Sequence, residues 1–209
     1  MLAPVTSLAT SAFLTLFVVI DPVGMAPVFL GLTADRPPAE RLRIARKSIL
    51  VAGLVVLAFG LGGSRLLAAL GISLDAFRVA GGILLFRIAV DMVYAQQERE
   101  TEEEAAESRL RRDITVFPLA IPFIAGPGTL ASVMILAAQS RRVPWGLATV
   151  LAMAAVVLLL TYAAFRLAGP VARLLGRTGV NVIGRVLGIL LAALAVQYVA
   201  DGVRGILNT

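Results

Sequence analysis

Runs of about 20 apolar residues recur along the whole chain, and each is long enough to cross the roughly 30 Å hydrocarbon core of a bilayer as a helix. We read six spans, at residues 7–30, 47–70, 75–95, 114–138, 146–168 and 182–206. The 209 residues are 59% hydrophobic and 15% charged. A water-soluble domain is about half apolar and about a quarter charged. The excess is too large for one soluble core, so the expected fold is an all-α membrane protein. The first run lacks a basic leader and continues past signal-peptide length, so it reads as a mature span.

The longest polar stretch, residues 96–113 (QQERETEEEAAESRLRRD), divides the chain almost in half. Its composition is that of a solvated cytoplasmic connector. The domain organisation is therefore a first three-helix repeat at 1–95, a charged linker at 96–113 and a second three-helix repeat at 114–209. The basic residues give the orientation. Twelve Lys and Arg lie in the loops after spans 1, 3 and 5, among them Arg36, Arg46, Lys47, Arg111 and Arg173. Four lie on the opposite side: Arg65, Arg141, Arg142 and Arg204. The positive-inside rule then puts both termini outside the cytoplasm. The net charge of +6 is accounted for by topology, and no basic patch interleaves with aromatics as a nucleic-acid surface requires.

The chain has no Cys and no His. Disulfides, thiolate metal sites and Cys or His catalysis are excluded, and zinc loses its usual ligands. No carboxylate pair stands at an obvious reacting spacing, so the chain is not expected to be an enzyme, and no cofactor is implied. No nucleotide-binding motif is present. Transport would run on an ion gradient or downhill flux, and the residues do not separate proton from sodium coupling.

The two halves resemble each other. Arg78-Val79-Ala80-Gly81 matches Arg185-Val186-Leu187-Gly188 at an offset of 107, and Ile83-Leu84-Leu85 matches Ile189-Leu190-Leu191 at 106. Leu70-Gly71 matches Leu175-Gly176, and Pro22-Val23-Gly24 resembles Pro127-Gly128-Thr129, both at 105. With three spans per half, the second half enters the membrane from the other side. Such inverted repeats occur in many secondary transporters, with the substrate site at the repeat interface.

Two helices are expected to break near the midplane. In span 1, Pro22 of Asp21-Pro22-Val23-Gly24-Met25 has no N–H to give Val18, and Asp-Pro reads as the cap and first residue of a new helix. In span 4, Pro118, Pro122 and Gly126-Pro127-Gly128-Thr129 interrupt the helix in the same way. Irregular backbone at membrane depth survives only against protein or a wet cavity. Each break starts a new helix, whose N-terminus carries about half a positive charge. Two such ends meeting at one point would suit a carboxylate. Asp21 is the sharpest candidate, because a carboxylate within a span is a functional hypothesis by default. It could hold a substrate ammonium, carry a proton or cap the helix. Asp91 could pair with Arg87 four residues earlier. Arg78 and Arg185 stand at equivalent repeat positions and could anchor to carbonyls, snorkel or gate. Gly184 and Gly188, with Gly81-Gly82 at the matching place, suit close helix packing and permit a homo-oligomer contact without requiring one.

LFVVIDPVGMAPVFL in span 1, FRVAGGILLFRIAVDM in span 3, PLAIPFIAGPGTLASVMIL in span 4 and GRVLGILLAALAVQYVADGV in span 6 resemble the MarC family of bacterial inner-membrane proteins. The resemblance implies a fold near the LysE-type exporters. It also implies a secondary transporter of small neutral amino acids, such as alanine or glycine, in a bacterial or archaeal inner membrane. By motif it points to Asp21, Pro22, Val23, Gly24 and Met25 at the first break and Gly126, Pro127, Gly128 and Thr129 at the second. The family often has Asn where this chain has Met25. A zwitterion suits the residues, with its carboxylate on helix N-termini and its ammonium near Asp21. The alternatives are an exporter of other small solutes or antimicrobials, disfavoured by the 6% aromatic content, and an ion channel, for which no ring of charge is evident.

Overall fold

A computed structural model describes residues 2–94 and 114–208. The expected linker at 96–113 lies outside them. The described residues contain helices and no strand. In chain order these are α1 (Leu2–Ile20), α2 (Met25–Leu32), α3 (Pro38–Ala69), α4 (Leu74–Val93), an irregular segment (Thr115–Ile124), α5 (Pro127–Gln139), a single turn (Ser140–Arg142), α6 (Gly146–Arg166) and α7 (Ala168–Leu207).

The helices overrun the apolar windows because backbone hydrogen bonding does not stop where hydropathy does. The 32 residues of α3 span roughly 48 Å at 1.5 Å per residue, well beyond a hydrocarbon core. Its extra turns begin at Pro37-Pro38, where a proline at the first helical positions loses no bond and Glu40 sits in the first turn. Arg36 bridges to Glu40 at 2.8 Å. In α4, the Ser73 side chain caps the helix by accepting from the Ala76 N–H at 3.1 Å. The last helix starts near residue 168 rather than 182, and Gly176 interrupts it with φ 59°, a conformation glycine adopts without a Cβ penalty.

Four stretches are long and apolar enough to cross a membrane: Pro4–Leu32, Pro38–Ala69, Gly146–Arg166 and Thr178–Leu207. A fifth is formed if Thr115–Ile124 and Pro127–Arg142, bent by 55°, count as one broken span. The sequence count was six. The difference is α4, which is 20 residues long but carries Asp75, Arg78, Arg87 and Asp91. Large apolar side chains are exposed on each of the long helices, including Leu14 on α1, Leu54 on α3, Ile83 on α4, Leu159 on α6 and Ile189 on α7. Apolar exposure on this scale belongs in lipid.

The tightest packing is between α4 and α7, which run antiparallel. A Cβ added at Gly82 would stand 2.7 Å from the Ala195 carbonyl oxygen, one at Gly188 would stand 3.1 Å from the Ala89 oxygen, and one at Gly202 would stand 2.6 Å from the Asp75 oxygen. The contacting positions 75, 82 and 89 on α4 and 188, 195 and 202 on α7 recur every seven residues, the spacing that keeps one seam of two helices in register. The expected GxxxG pair is thus only half used. Gly188 lies in the seam, whereas a Cβ at Gly184 would meet nothing within 4 Å.

Elsewhere α1 packs on α5, α6 and α7, and α2 packs on α6 and α7. Helix α3 packs on the irregular segment, α5 and α6, and α4 packs on α5. Two buried clusters result. The smaller one, with Val18, Leu85, Ile135, Leu191 and Tyr198, lies where α1, α4, α5 and α7 meet.

The seam makes a contrast that thermal unfolding in detergent can read. Gly82→Ala pushes a methyl group against backbone and should destabilise by about 1–3 kcal/mol, the usual cost of overpacking. Gly184→Ala enters open space and should leave the Tm unchanged or raise it, since Ala exceeds Gly in helix propensity by up to about 1 kcal/mol. Equal effects at the two sites would contradict the seam.

Candidate functional site

At the first break, the Asp21 N–H still donates to the Phe17 carbonyl at 3.0 Å. The chain then turns through Asp21 with φ 47°, unusual for a residue other than glycine. Pro22 and Val23 complete the turn, and the Met25 N–H donates to the Asp21 carbonyl at 2.9 Å. The Asp21 carboxylate folds over the same turn, its Oδ1 accepting from the Gly24 N–H at 3.0 Å. A Cβ at Gly24 would collide with that carboxylate, which is why glycine stands there. The capping alternative raised for Asp21 therefore has its geometry, with one carboxylate oxygen committed to the cap. Pro22 is buried and Val23 half-buried. Met25 is 3% exposed and points into the main apolar core with Ala26 and Phe29, the face on which a polar amide would be poorly solvated.

The second break is longer. Phe117 and Ile121, each preceding a proline, are extended, the conformation that the following pyrrolidine ring favours. The Phe117-Pro118 and Ile121-Pro122 peptide bonds are cis. The Ala125 N–H donates to the Ala120 carbonyl at 2.9 Å. Gly126 is extended, with φ −81° and ψ 175°, and Pro127 opens α5. A Cβ at Gly126 would collide with the Pro122 carbonyl oxygen. The buried Thr129 hydroxyl donates to the Ile124 carbonyl at 2.8 Å, closing an acceptor that the irregular backbone leaves open.

The two breaks are neighbours. A Cβ at Gly128 would stand 3.4 Å from Val19, two residues before Asp21, and 2.9 Å and 3.0 Å from Leu85 and Ile88 of α4. The two new helix starts differ, however. The Asp21 carboxylate caps the turn that leads into α2 by accepting from the Gly24 N–H, while no side chain bonds at the start of α5. The first-turn N–H groups of α5 at Gly128 and Thr129 have no intrahelical acceptor, and both residues are buried. One turn further on, Ser132 is fully buried and its hydroxyl has no hydrogen-bond partner. In the sequence Ser132 is marked only by its i+4 spacing from Gly128, which puts it on the same stripe of α5, the one that at Gly128 meets α4 and α1.

The remaining candidates lie on α4 and α7. Arg87 and Asp91 do approach on one helix face, at a loose 3.8 Å with Arg87 largely exposed. Arg78 binds Asp75 at 2.8 Å and keeps a buried Nε without a partner. Arg185 is exposed on α7, so the two arginines are equivalent in sequence but not in environment. Asp75 supplies the difference, since its repeat counterpart at 107 residues is Val182. Among the described residues no group of acidic side chains could hold a metal ion.

The capping groups give paired predictions, read as thermal stability. Thr129→Val strands the buried Ile124 carbonyl and should cost about 1–3 kcal/mol, while Thr129→Ser should restore most of that. Asp21→Ala removes the acceptor of the Gly24 N–H in the turn before α2 and should cost about 1 kcal/mol, whereas Asp21→Asn keeps an accepting oxygen and should cost less.

The matches among known proteins agree with this architecture. The model of the MarC family of integral membrane proteins matches residues 6–207. The chain is similar to the UPF0056 membrane protein MJ1677 of Methanocaldococcus jannaschii, 39% identical over 197 residues, which are 94% of this chain and 96% of that one. It is also similar to the UPF0056 membrane protein YvbG of Bacillus subtilis, 38% identical over 202 residues, or 95% of each chain. To the UPF0056 membrane protein YhcE of Escherichia coli it is 33% identical over 196 residues, covering 93% of this chain and 91% of that protein. No solved structure matches the chain. An all-helical assembly with exposed apolar side chains on its long helices, broken at DPVG and GPGT and matched almost from end to end, places this chain in the MarC family of integral membrane proteins.

Proposed function

We propose that the protein is a secondary transporter of small neutral amino acids, with its substrate site at the junction of the two breaks. The observation that carries this reading is the open N-terminus of α5, buried against Val19 and followed by the unpartnered Ser132 hydroxyl. Peptide N–H groups aimed at one point with a helix dipole behind them favour a carboxylate. Ser132 adds a donor on the same stripe. The Asp21 carboxylate, which the turn holds through the Gly24 N–H, offers a negative partner for the ammonium of the same zwitterion. The glycines of both breaks leave space for a small side chain and little more.

The architecture that goes with this function is six crossings in two inverted repeats. Support comes from exchanging the halves, with α1 and α2 replaced by the irregular segment and α5, α3 by α6, and α4 by α7. The contacts of α1 and α2 with α6 then become those of α5 and the irregular segment with α3. The contacts of α1 and α2 with α7 become those of α5 with α4. The pairs α1–α5, α3–α6 and α4–α7 map onto themselves. Helix α4 can cross because its charges sit in two ion pairs near its ends, with Val79–Phe86 uncharged between them. The basic loops put both termini on the extracytoplasmic face of an inner membrane. Asp21 is the group in the site able to couple transport to a cation or proton.

Counterflow of labelled alanine and glycine into proteoliposomes, with an imposed proton or sodium gradient, tests the function. Saturable exchange is expected. No flux of either amino acid from folded protein would overturn the reading. Asp21→Asn should keep the fold and lose gradient-driven accumulation. Ser132→Ala removes a hydrogen bond to a charged group, about 1.5 kcal/mol or more, so its KM should rise at least about tenfold while its Tm holds. Unchanged KM would remove Ser132 from the site.

A further inference from the structure

Beyond the second break along α5, the ends of α3 and α5 and the start of α6 line a cleft of about 390 Å³. Its apolar lining comprises Phe59 and Leu61 from α3, Met134 from α5 and Val143 from the connecting turn, beside the polar Ser64 and Ser140. Arg141 lines it and is held by a hydrogen bond to the Ser64 hydroxyl. Arg65 and Arg142 adjoin those two residues in the chain and are exposed. Among the described residues, no carboxylate pairs with any of the three.

Two further observations bear on what fills this cleft. These arginines are three of the four basic residues on the loop side with fewer positive charges, so topology does not account for them. Trp145, also at the cleft, is 85% exposed. It holds φ 59° as the residue before α6, a left-handed conformation uncommon outside glycine. A tryptophan displayed at the end of an apolar helix is at home among lipid headgroups.

We propose that this cleft binds an anionic phospholipid, with the phosphate at Arg141 flanked by Arg65 and Arg142 and an acyl chain along Phe59, Leu61 and Met134. Unpaired guanidinium groups select the negative headgroup, since Arg binds phosphate through paired N–H donors. The apolar wall selects the chain, which a free phosphate ion lacks. Basic pockets between membrane helices take anionic headgroups by the same combination. The site is separate from the break junction, so its existence does not depend on the transport reading.

Trp145 is the only tryptophan in the chain, so its fluorescence reports this cleft alone. The full-length protein is reconstituted in phosphatidylcholine vesicles containing a small fraction of brominated phosphatidylglycerol or, in parallel, brominated phosphatidylcholine. The expected result is stronger quenching by the anionic lipid, corresponding to about tenfold preferential occupancy, with inorganic phosphate unable to relieve it. Arg141→Gln should reduce the preference to about twofold or less, while Arg204→Gln should leave it unchanged. Equal quenching by the two lipids in the native protein overturns the proposal. Full relief by millimolar inorganic phosphate also overturns it, by assigning the cleft to the free anion. These two arms use native protein and decide the question even where a variant fails to fold.

Discussion

In a bilayer core there is no water to hydrogen-bond an interrupted backbone, and each stranded N–H or C=O costs several kcal/mol. Everything distinctive about this protein follows from how it tolerates two interruptions under that constraint. At the first, Asp21 turns its carboxylate back onto the Gly24 N–H and its carbonyl onto the Met25 N–H. At the second, Thr129 closes the Ile124 carbonyl from within α5. Each device repairs its own break and leaves a different remainder. The first leaves a carboxylate, and the second leaves two first-turn peptide N–H groups and the hydroxyl of Ser132. In the transport reading proposed above, this acceptor and these donors on neighbouring segments are what would bind a zwitterion.

The α4–α7 seam gives those breaks a fixed frame. Small residues at seven-residue spacing bring two backbones close enough for a Cβ to be refused at Gly82, Gly188 and Gly202. Without a hydrophobic force between helices in lipid, such close contact is what holds them together. Leu85 and Ile88, on the same helix as Gly82, wall the second break through Gly128, so the position of the junction is coupled to that of the seam.

The membrane class, both breaks and their residues were legible because proline, glycine and continuous apolar runs act locally and within the chain. The Arg87–Asp91 pair was legible from its i+4 spacing for the same reason. Other features needed three dimensions. Glycine spacing suggested Gly184 with Gly188, but the partner helix contacts every seventh residue, which a four-residue motif does not reveal. Arg78 and Arg185 matched by offset, yet only Arg78 has an aspartate three residues earlier. Hydropathy counted α4 as a span by its apolar middle, while its four charges set it apart from the stretches apolar enough to cross. Ser132 was hidden because a serine among apolar helix residues has no local mark of being unpartnered.

The central claim is that the two breaks meet at one substrate site. The absence of native cysteine allows a direct measurement in membranes, using Val19→Cys combined with Gly128→Cys. A Cβ at Gly128 stands 3.4 Å from the Val19 Cγ1, an atom at the branch a cysteine sulfur would occupy, so the pair falls within the reach of a disulfide. Oxidation should cross-link it, and saturating alanine should slow the reaction by filling the space between the breaks. Failure of the break pair to cross-link, or a cross-linking rate indifferent to alanine and glycine, would contradict the account.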